Sequence, residues 1–130
     1  MPFAPLDGTS DRTSDDSSAE LVKINPVPSL IVDMKTLNVA VVNAAAAELL
    51  GYSEEELTGK SLAELVPEED VPALLRTTEE PVPQGETQWR VCKKDGSLIY
   101  VRVKYRDTWL HGQAARFVVA IASSAKPFPA

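Results

Sequence analysis

Two side chains here belong to the types that do nucleophilic or metal chemistry, Cys92 and His111, and each type occurs once. A thiol becomes a nucleophile where neighbouring cations stabilise its thiolate, and Arg90, Lys93 and Lys94 flank Cys92. The alternation around it reads Cys92 instead as a small packing residue in a strand. His111 stands beside Gly112 in a turn, with no His/Cys cluster at a spacing that completes a tetrahedral metal site. Carboxylates are the abundant groups, in Glu54-Glu55-Glu56 and Glu68-Glu69-Asp70. Paired acids do general acid/base work when a pocket drives their pKa values apart. At the start of a helix they answer the positive end of the macrodipole instead, and both runs follow helix-start signals. No phosphate-cradling glycine loop, dinucleotide fingerprint or nucleophile–base pair is present. The residues thus assign no catalytic group and no metal ligand, and the chain is read as a non-enzyme.

The elements that must position any site are better marked than the chemistry. Asn43 can cap a helix over Ala44 to Leu50, in which four alanines favour the helix and Leu49 and Leu50 supply a buried side. Gly51 fits the left-handed position that ends such a helix. Ser53 with Glu56, and Ser61 with Glu64, are two Ser-x-x-Glu capping boxes. Pro67 suits a first helical position, and Val71, Leu74 and Leu75 then form one apolar stripe, so the spacing predicts a helix from Pro67 to Thr78.

Strands flank these helices. Leu30 to Asp33 and Val39 to Val42 are short β-branched runs around a polar turn, and they read as a hairpin. Gln88 to Lys93 and Leu98 to Asp107 lie either side of Asp95-Gly96, a strong hairpin signal. In the longer strand Ile99, Val101, Val103 and Tyr105 share one face, and Arg102, Lys104 and Arg106 the other. Ala114 to Ala122 follows a turn at His111-Gly112 and is apolar on both faces, as a central strand covered on both sides would be. By alternation, Trp89, Val91, Val101, Val103, Phe117 and Val119 are expected to point inward, with Leu50, Leu65 and Leu74 facing them from the helices. Val118, Ala120 and Ala122 then form an outer stripe that needs a cover. Residues 19–24, with Leu21, Val22 and Ile24, are a candidate for that cover or a plain linker before Pro26 and Pro28.

Three motifs carry a family resemblance: Asn43-x(5)-Leu49-Leu50-Gly51-Tyr52-Ser53-x-Glu55-Glu56-Leu57-x-Gly59, the Lys93-Lys94-Asp95-Gly96-Ser97 turn, and the closing Ala115-Arg116-Phe117-Val118-Val119-Ala120-Ile121 strand. Together with the order of two strands, helices, then three strands, the chain resembles a PAS domain over about residues 19–124. The resemblance implies an α+β fold, a five-stranded antiparallel sheet with short helices on one face. It implies a sensory or regulatory module that acts through a small ligand or through dimerisation, and often a small cavity inside the sheet. The inward residues above are then ligand-pocket candidates for a small apolar metabolite, and a packed core without a cavity is the alternative. Leu21, Val22, Ile24, Val118, Ala120 and Ala122 become interface candidates, for a homodimer or a partner signalling domain. An enzyme of similar shape would need an inward strand acid, and only Asp33 and Asp107 are available, both near strand ends. Haem-binding relatives carry a histidine on the helix that here spans Pro67 to Thr78, and this helix has none. The flavin-binding branch carries Asn-Cys-Arg on a helix, which is absent, and no covalent chromophore is supported. Many PAS domains end in Asp-Ile-Thr before an output helix. Here Ala122-Ser123-Ser124-Ala125 is followed by Pro127 and Pro129, so the resemblance does not carry that output route over.

Charge and composition bound the remainder. Residues 53–80 hold nine acids and two bases, whereas residues 88–116 hold seven bases and two acids. The helical side is therefore expected to be acidic and one sheet face basic. Tyr100 lies with Arg102, Lys104 and Arg106, an arrangement that can stack bases, but the net charge of −6 argues against nucleic acid and for a solvated strand face. With 44% hydrophobic and 25% charged residues, the 130-residue chain has the composition of one globular domain. It lacks an apolar run of the ~20 residues needed to span a membrane. A single cysteine and an N-terminus without a basic, apolar leader make the cytoplasm the expected compartment. Residues 1–18, rich in Ser, Asp, Thr and Pro, are expected to be disordered, and residues 125–130 to form a Pro-containing tail.

Overall fold

The computed structural model describes residues 19–77 and 84–127. The expected disorder of residues 1–18, and residues 128–130 of the expected tail, lie outside the described residues. Helix α1 occupies residues 19–24. It is followed by β1 (Ser29–Asp33), β2 (Val39–Val42), α2 (Ala44–Leu50) and α3 (Glu54–Leu57). Two 3₁₀ turns (Leu62–Glu64, Glu68–Asp70) lead into α4 (Val71–Arg76), and β3 (Gln84–Cys92), β4 (Leu98–Leu110) and β5 (Gln113–Ser124) complete the chain. The strands form one antiparallel sheet in the order β2-β1-β5-β4-β3. The α+β architecture expected from the sequence is the one observed.

The caps act as their residue types dictate. The Asn43 side chain accepts from Ala46 N at 2.9 Å. Ser53 and Glu56 close a reciprocal box at 2.9 and 3.0 Å, and Ser61 and Glu64 form the second box. Gly51 ends α2 with φ at +82°. A Cβ there would meet nothing closer than 3.8 Å, so Gly51→Ala carries only the left-handed penalty. Its expected cost is about 1–2 kcal/mol, read as an earlier urea midpoint at unchanged slope.

One helix differs from expectation. Of the helix expected from Pro67 to Thr78, Thr78 lies outside the described residues, and residues 67–77 do not form a single α-helix, because Pro72 has no N–H to give the Glu68 carbonyl. Val71 N donates to Glu68 O in a 3₁₀ turn instead, and α4 runs only from Val71 to Arg76.

The helical segment is stitched to the sheet at both ends. Along the β2 side, Val39 N donates to Lys60 O (2.8 Å), Gly59 N to Val39 O (2.7 Å) and Leu62 N to Leu37 O (2.9 Å). At the β3 end, Cys92 N donates to Leu65 O (2.7 Å) and Lys94 N to Leu50 O (3.0 Å). The helices therefore form a roof fixed along two sides of the sheet's inner face. Beneath it Val39, Val42, Ala46, Ala47, Leu50, Leu57 and Leu65 pack as one buried cluster.

The outer face is covered over part of its area by α1. Val22 is wholly buried against Ile31, Leu110 and Ala115, and Phe117 packs at the edge of this cluster. Lys23 holds the helix in place by donating to Val42 O (2.7 Å) and pairing with Glu54 (2.8 Å). Among the described residues no helix is long and apolar enough to cross a membrane.

Candidate functional site

Between roof and sheet lies a pocket of about 200 Å³. Leu50, Leu65 and Leu74 line it from the helices, and Trp89, Val91, Val101 and Val103 from β3 and β4. Leu30 and Val32 of β1, and Leu37 from the β1–β2 turn, complete the apolar wall. Leu37 is buried with φ at +64°, so a turn read as polar in the sequence contributes a core side chain.

Strand β5 presents the opposite face from the one expected. Val118 and Ala120 line the pocket, whereas Phe117 packs on the outer face beside α1 and Val119 lies opposite the outward Lys104. Phe117 and Val119 are thus not pocket residues, and Val118 and Ala120 are not outer-face residues. The cause is hairpin register. His111 and Gly112 both have positive φ, as a two-residue type I′ turn requires, and they set Leu110 opposite Gln113. Counting back from there, Tyr105 faces Val118 and Val103 faces Ala120, and paired residues share a face. A bulge then leaves Ile121 without a β4 partner and returns Ala122 to the outer side, opposite Arg102.

The other interface candidates divide in the same way. Val22 belongs to the molecule's own core, whereas Leu21 (53% exposed) and Ile24 (75%) reach solvent; Ile121, outside that candidate set, is 44% exposed as well.

The same register places a charged pair at one end of the pocket that alternation alone did not single out. Asp107 and Arg116 are cross-strand partners, and Arg116 is buried. Arg116 Nε donates to Asp107 Oδ1 at 2.7 Å, and Nη1 reaches the Thr77 carbonyl at 3.4 Å. The guanidinium stands over the Tyr105 ring at 4.7 Å, close enough for cation–π attraction. Arg116, Tyr105, Thr77 and Thr87 line this end of the pocket, and among the described residues no acid lines it. The signal that finds the pair in the sequence is the turn: Asp107 and Arg116 are equidistant from His111-Gly112.

His111 is exposed in its turn, and Cys92 is a half-buried free thiol in β3. The two acidic runs sit at helix starts, and several of their members pair with bases from the sheet side. Lys94 meets Glu56 at 2.6 Å, and Arg90 grips Asp70 through two bonds, Nε to Oδ2 at 2.9 Å and Nη2 to Oδ1 at 2.6 Å. The charge asymmetry is thus partly satisfied within the molecule.

The hydrogen bonds from Arg90 hold the Asp70 carboxyl below its ordinary pKa. Since the folded-state value is depressed, the pair's stabilisation is fully present above the unfolded value of ~3.9 and is lost as pH falls through the folded value. Urea unfolding of wild type and Asp70→Asn is expected to differ at pH 7 and to converge as pH falls below the depressed folded-state value.

The PAS fold family model matches residues 19–122. Among solved structures, the PAS domain of an HTR-like protein from Haloarcula marismortui is 21% identical with a TM-score of 0.68, covering 86% of this chain and 95% of that one. A LOV protein from Rhodobacter sphaeroides is 13% identical with a TM-score of 0.68, covering 84% and 66%. The PAS domain of a LuxR-family transcriptional regulator from Burkholderia thailandensis, in complex with ethanol, is 13% identical with a TM-score of 0.60, covering 77% and 92%. No curated protein matches the chain in sequence. With the family match running from α1 through the roof and the pocket into β5, this chain belongs to the PAS fold family.

Proposed function

We propose that this PAS domain is a sensor that takes a small, largely apolar molecule into the pocket under its helical roof and passes the bound state on through its outer sheet face. The observation that carries the reading is the pocket itself. Close packing is the norm in small domains, so about 200 Å³ of apolar space inside one is a departure that invites an occupant. A similar fold that is in complex with ethanol supports a small-molecule role for this architecture. Neither haem nor flavin belongs to this reading. Helix α4 carries no histidine, the only histidine is exposed in the β4–β5 turn, and the only cysteine lies on a strand. Nor does the site suggest an enzyme: among the described residues that line it, Arg116 is the one charged group, and no carboxylate, histidine or thiol stands beside it in the wall.

A second reading, association without a ligand, has its own support. Leu21, Ile24 and Ile121 leave apolar surface on and beside the sheet face that α1 only partly covers. A second copy or a partner signalling domain would bury it.

Native mass spectrometry of the protein purified from its own host cells separates the two. A discrete extra mass supports the sensor, with a dimer identifying the outer face as its route. A clean apo dimer supports the association module, and the ligand reading then falls if small-molecule probes also fail to enter the pocket.

A further inference from the structure

Two arginines on the sheet are bound by aspartates in different ways. Arg90 uses both edges of its fork on Asp70, so that carboxylate consumes its directional capacity. Arg116 meets Asp107 through Nε alone, and among the described residues its Nη end has only the long bond to the Thr77 carbonyl. A guanidinium has five N–H donors, so three remain beyond those two bonds. Arg116 is buried, lines the pocket, and is held in plane by the Tyr105 ring. Among the described lining residues it is the only charged one, in a wall otherwise apolar apart from hydroxyl groups and the Trp89 indole.

From this geometry we infer that the pocket selects a small monocarboxylate, its two oxygens on the Nη end of Arg116 and its apolar body against Leu65, Val101 and Ala120. This rests on the ligand-sensor reading and deepens it. A planar fork presents two parallel N–H groups at carboxylate spacing, which an alcohol or an amine does not match. Asp107 neutralises the arginine along one edge, so the site tolerates an empty state and yet keeps its anion-facing edge. A cavity of 150 Å³ holds benzene, so about 200 Å³ suits a body and headgroup of roughly six to nine heavy atoms together.

The test uses the full chain and four probes with one shared ring: benzoate, benzyl alcohol, toluene and benzylamine. Titrations are followed by amide and arginine Nε–H resonances at neutral pH. Benzoate is expected to bind at least tenfold more tightly than the alcohol or toluene, and benzylamine not to bind, with shifts concentrated at the pocket. In Arg116→Lys, which keeps the charge and loses the fork, the benzoate-to-alcohol preference is expected to collapse toward one. Alcohol and toluene binding as well as benzoate overturns the carboxylate assignment and leaves the sensor reading standing, as does a preference that survives in Arg116→Lys. Failure of all four probes, or shifts confined to the outer surface, overturns this inference. If protein from host cells also carries no extra mass, the sensor reading falls with it. The wild-type series decides the question even if the variant does not fold.

Discussion

Asn43→Ala is expected to lower stability by about 3–5 kcal/mol, far beyond the ~1 kcal/mol of an ordinary helix cap. The side chain is buried and uses its full bonding capacity. Its oxygen accepts from Ser29 N (3.1 Å) and Ala46 N (2.9 Å), and its nitrogen donates to Asn25 O and Val27 O, both at 2.9 Å. One residue therefore ties together the linker after α1, the start of β1 and the start of α2. Alanine strands two buried donors and the Asn25 carbonyl, while Val27 O keeps its bond from Ser29 Oγ (2.8 Å), and each unsatisfied group costs roughly 1–3 kcal/mol before water partly compensates. Asn43→Asp is the informative companion. It keeps both acceptor bonds but turns a carboxylate oxygen toward two carbonyls, so most of the loss is expected to persist. Urea denaturation followed by fluorescence measures both variants. An Asn43→Ala loss near 1 kcal/mol would mean that the linker bonds contribute little.

Filling the pocket is expected to separate binding from folding. Ala120 lines the pocket from β5, and Ala120→Leu adds three carbons to that space. At ~0.8 kcal/mol per buried carbon group, less some strain, the ligand-free protein is expected to gain about 1–2 kcal/mol. Small-ligand affinity should fall at least tenfold in the same protein. Thermal unfolding without ligand and titration with a pocket ligand read the two effects. In a closely packed interior the same change forces side chains off their rotamers and destabilises, so a lowered Tm overturns the pocket. Trp89→Ala gives the converse: lost ligand retention accompanies lost stability if the pocket is used, and stability alone falls if it is not.

The local grammar of this chain was legible where one residue type dictates one geometry. Asn43, Ser53, Ser61 and Gly51 lie at the helix ends their chemistry predicts, and Asp95-Gly96 turns β3 into β4. The clean alternation of β4 placed Val101 and Val103 correctly because its other face is charged. In β5 that contrast is missing. Phe117 and Val119 on one side, and Val118 and Ala120 on the other, are all apolar, so burial alone does not choose between the faces. Alternation, which put Phe117 and Val119 inward, failed here because α1 buries the outer face as well. The register was nonetheless available from His111-Gly112, which fixes Asp107 against Arg116 and every pair between there and the bulge. The pocket itself was not legible: whether side chains of suitable type leave a space depends on the height at which the roof is stitched, and no local pattern encodes that.

Strand β5 is a wall with a room on each side. Residues one apart along it serve different masters: Val118 and Ala120 touch whatever occupies the pocket, and Phe117, Val119 and Ile121 meet the helix or the surroundings of the sheet. Under the proposed sensor role, single codon changes at adjacent positions would retune what is sensed without altering what is contacted, and the reverse. Over evolutionary time such a strand would let a lineage exchange its stimulus while keeping its alliances, by substitutions that need not wait for one another.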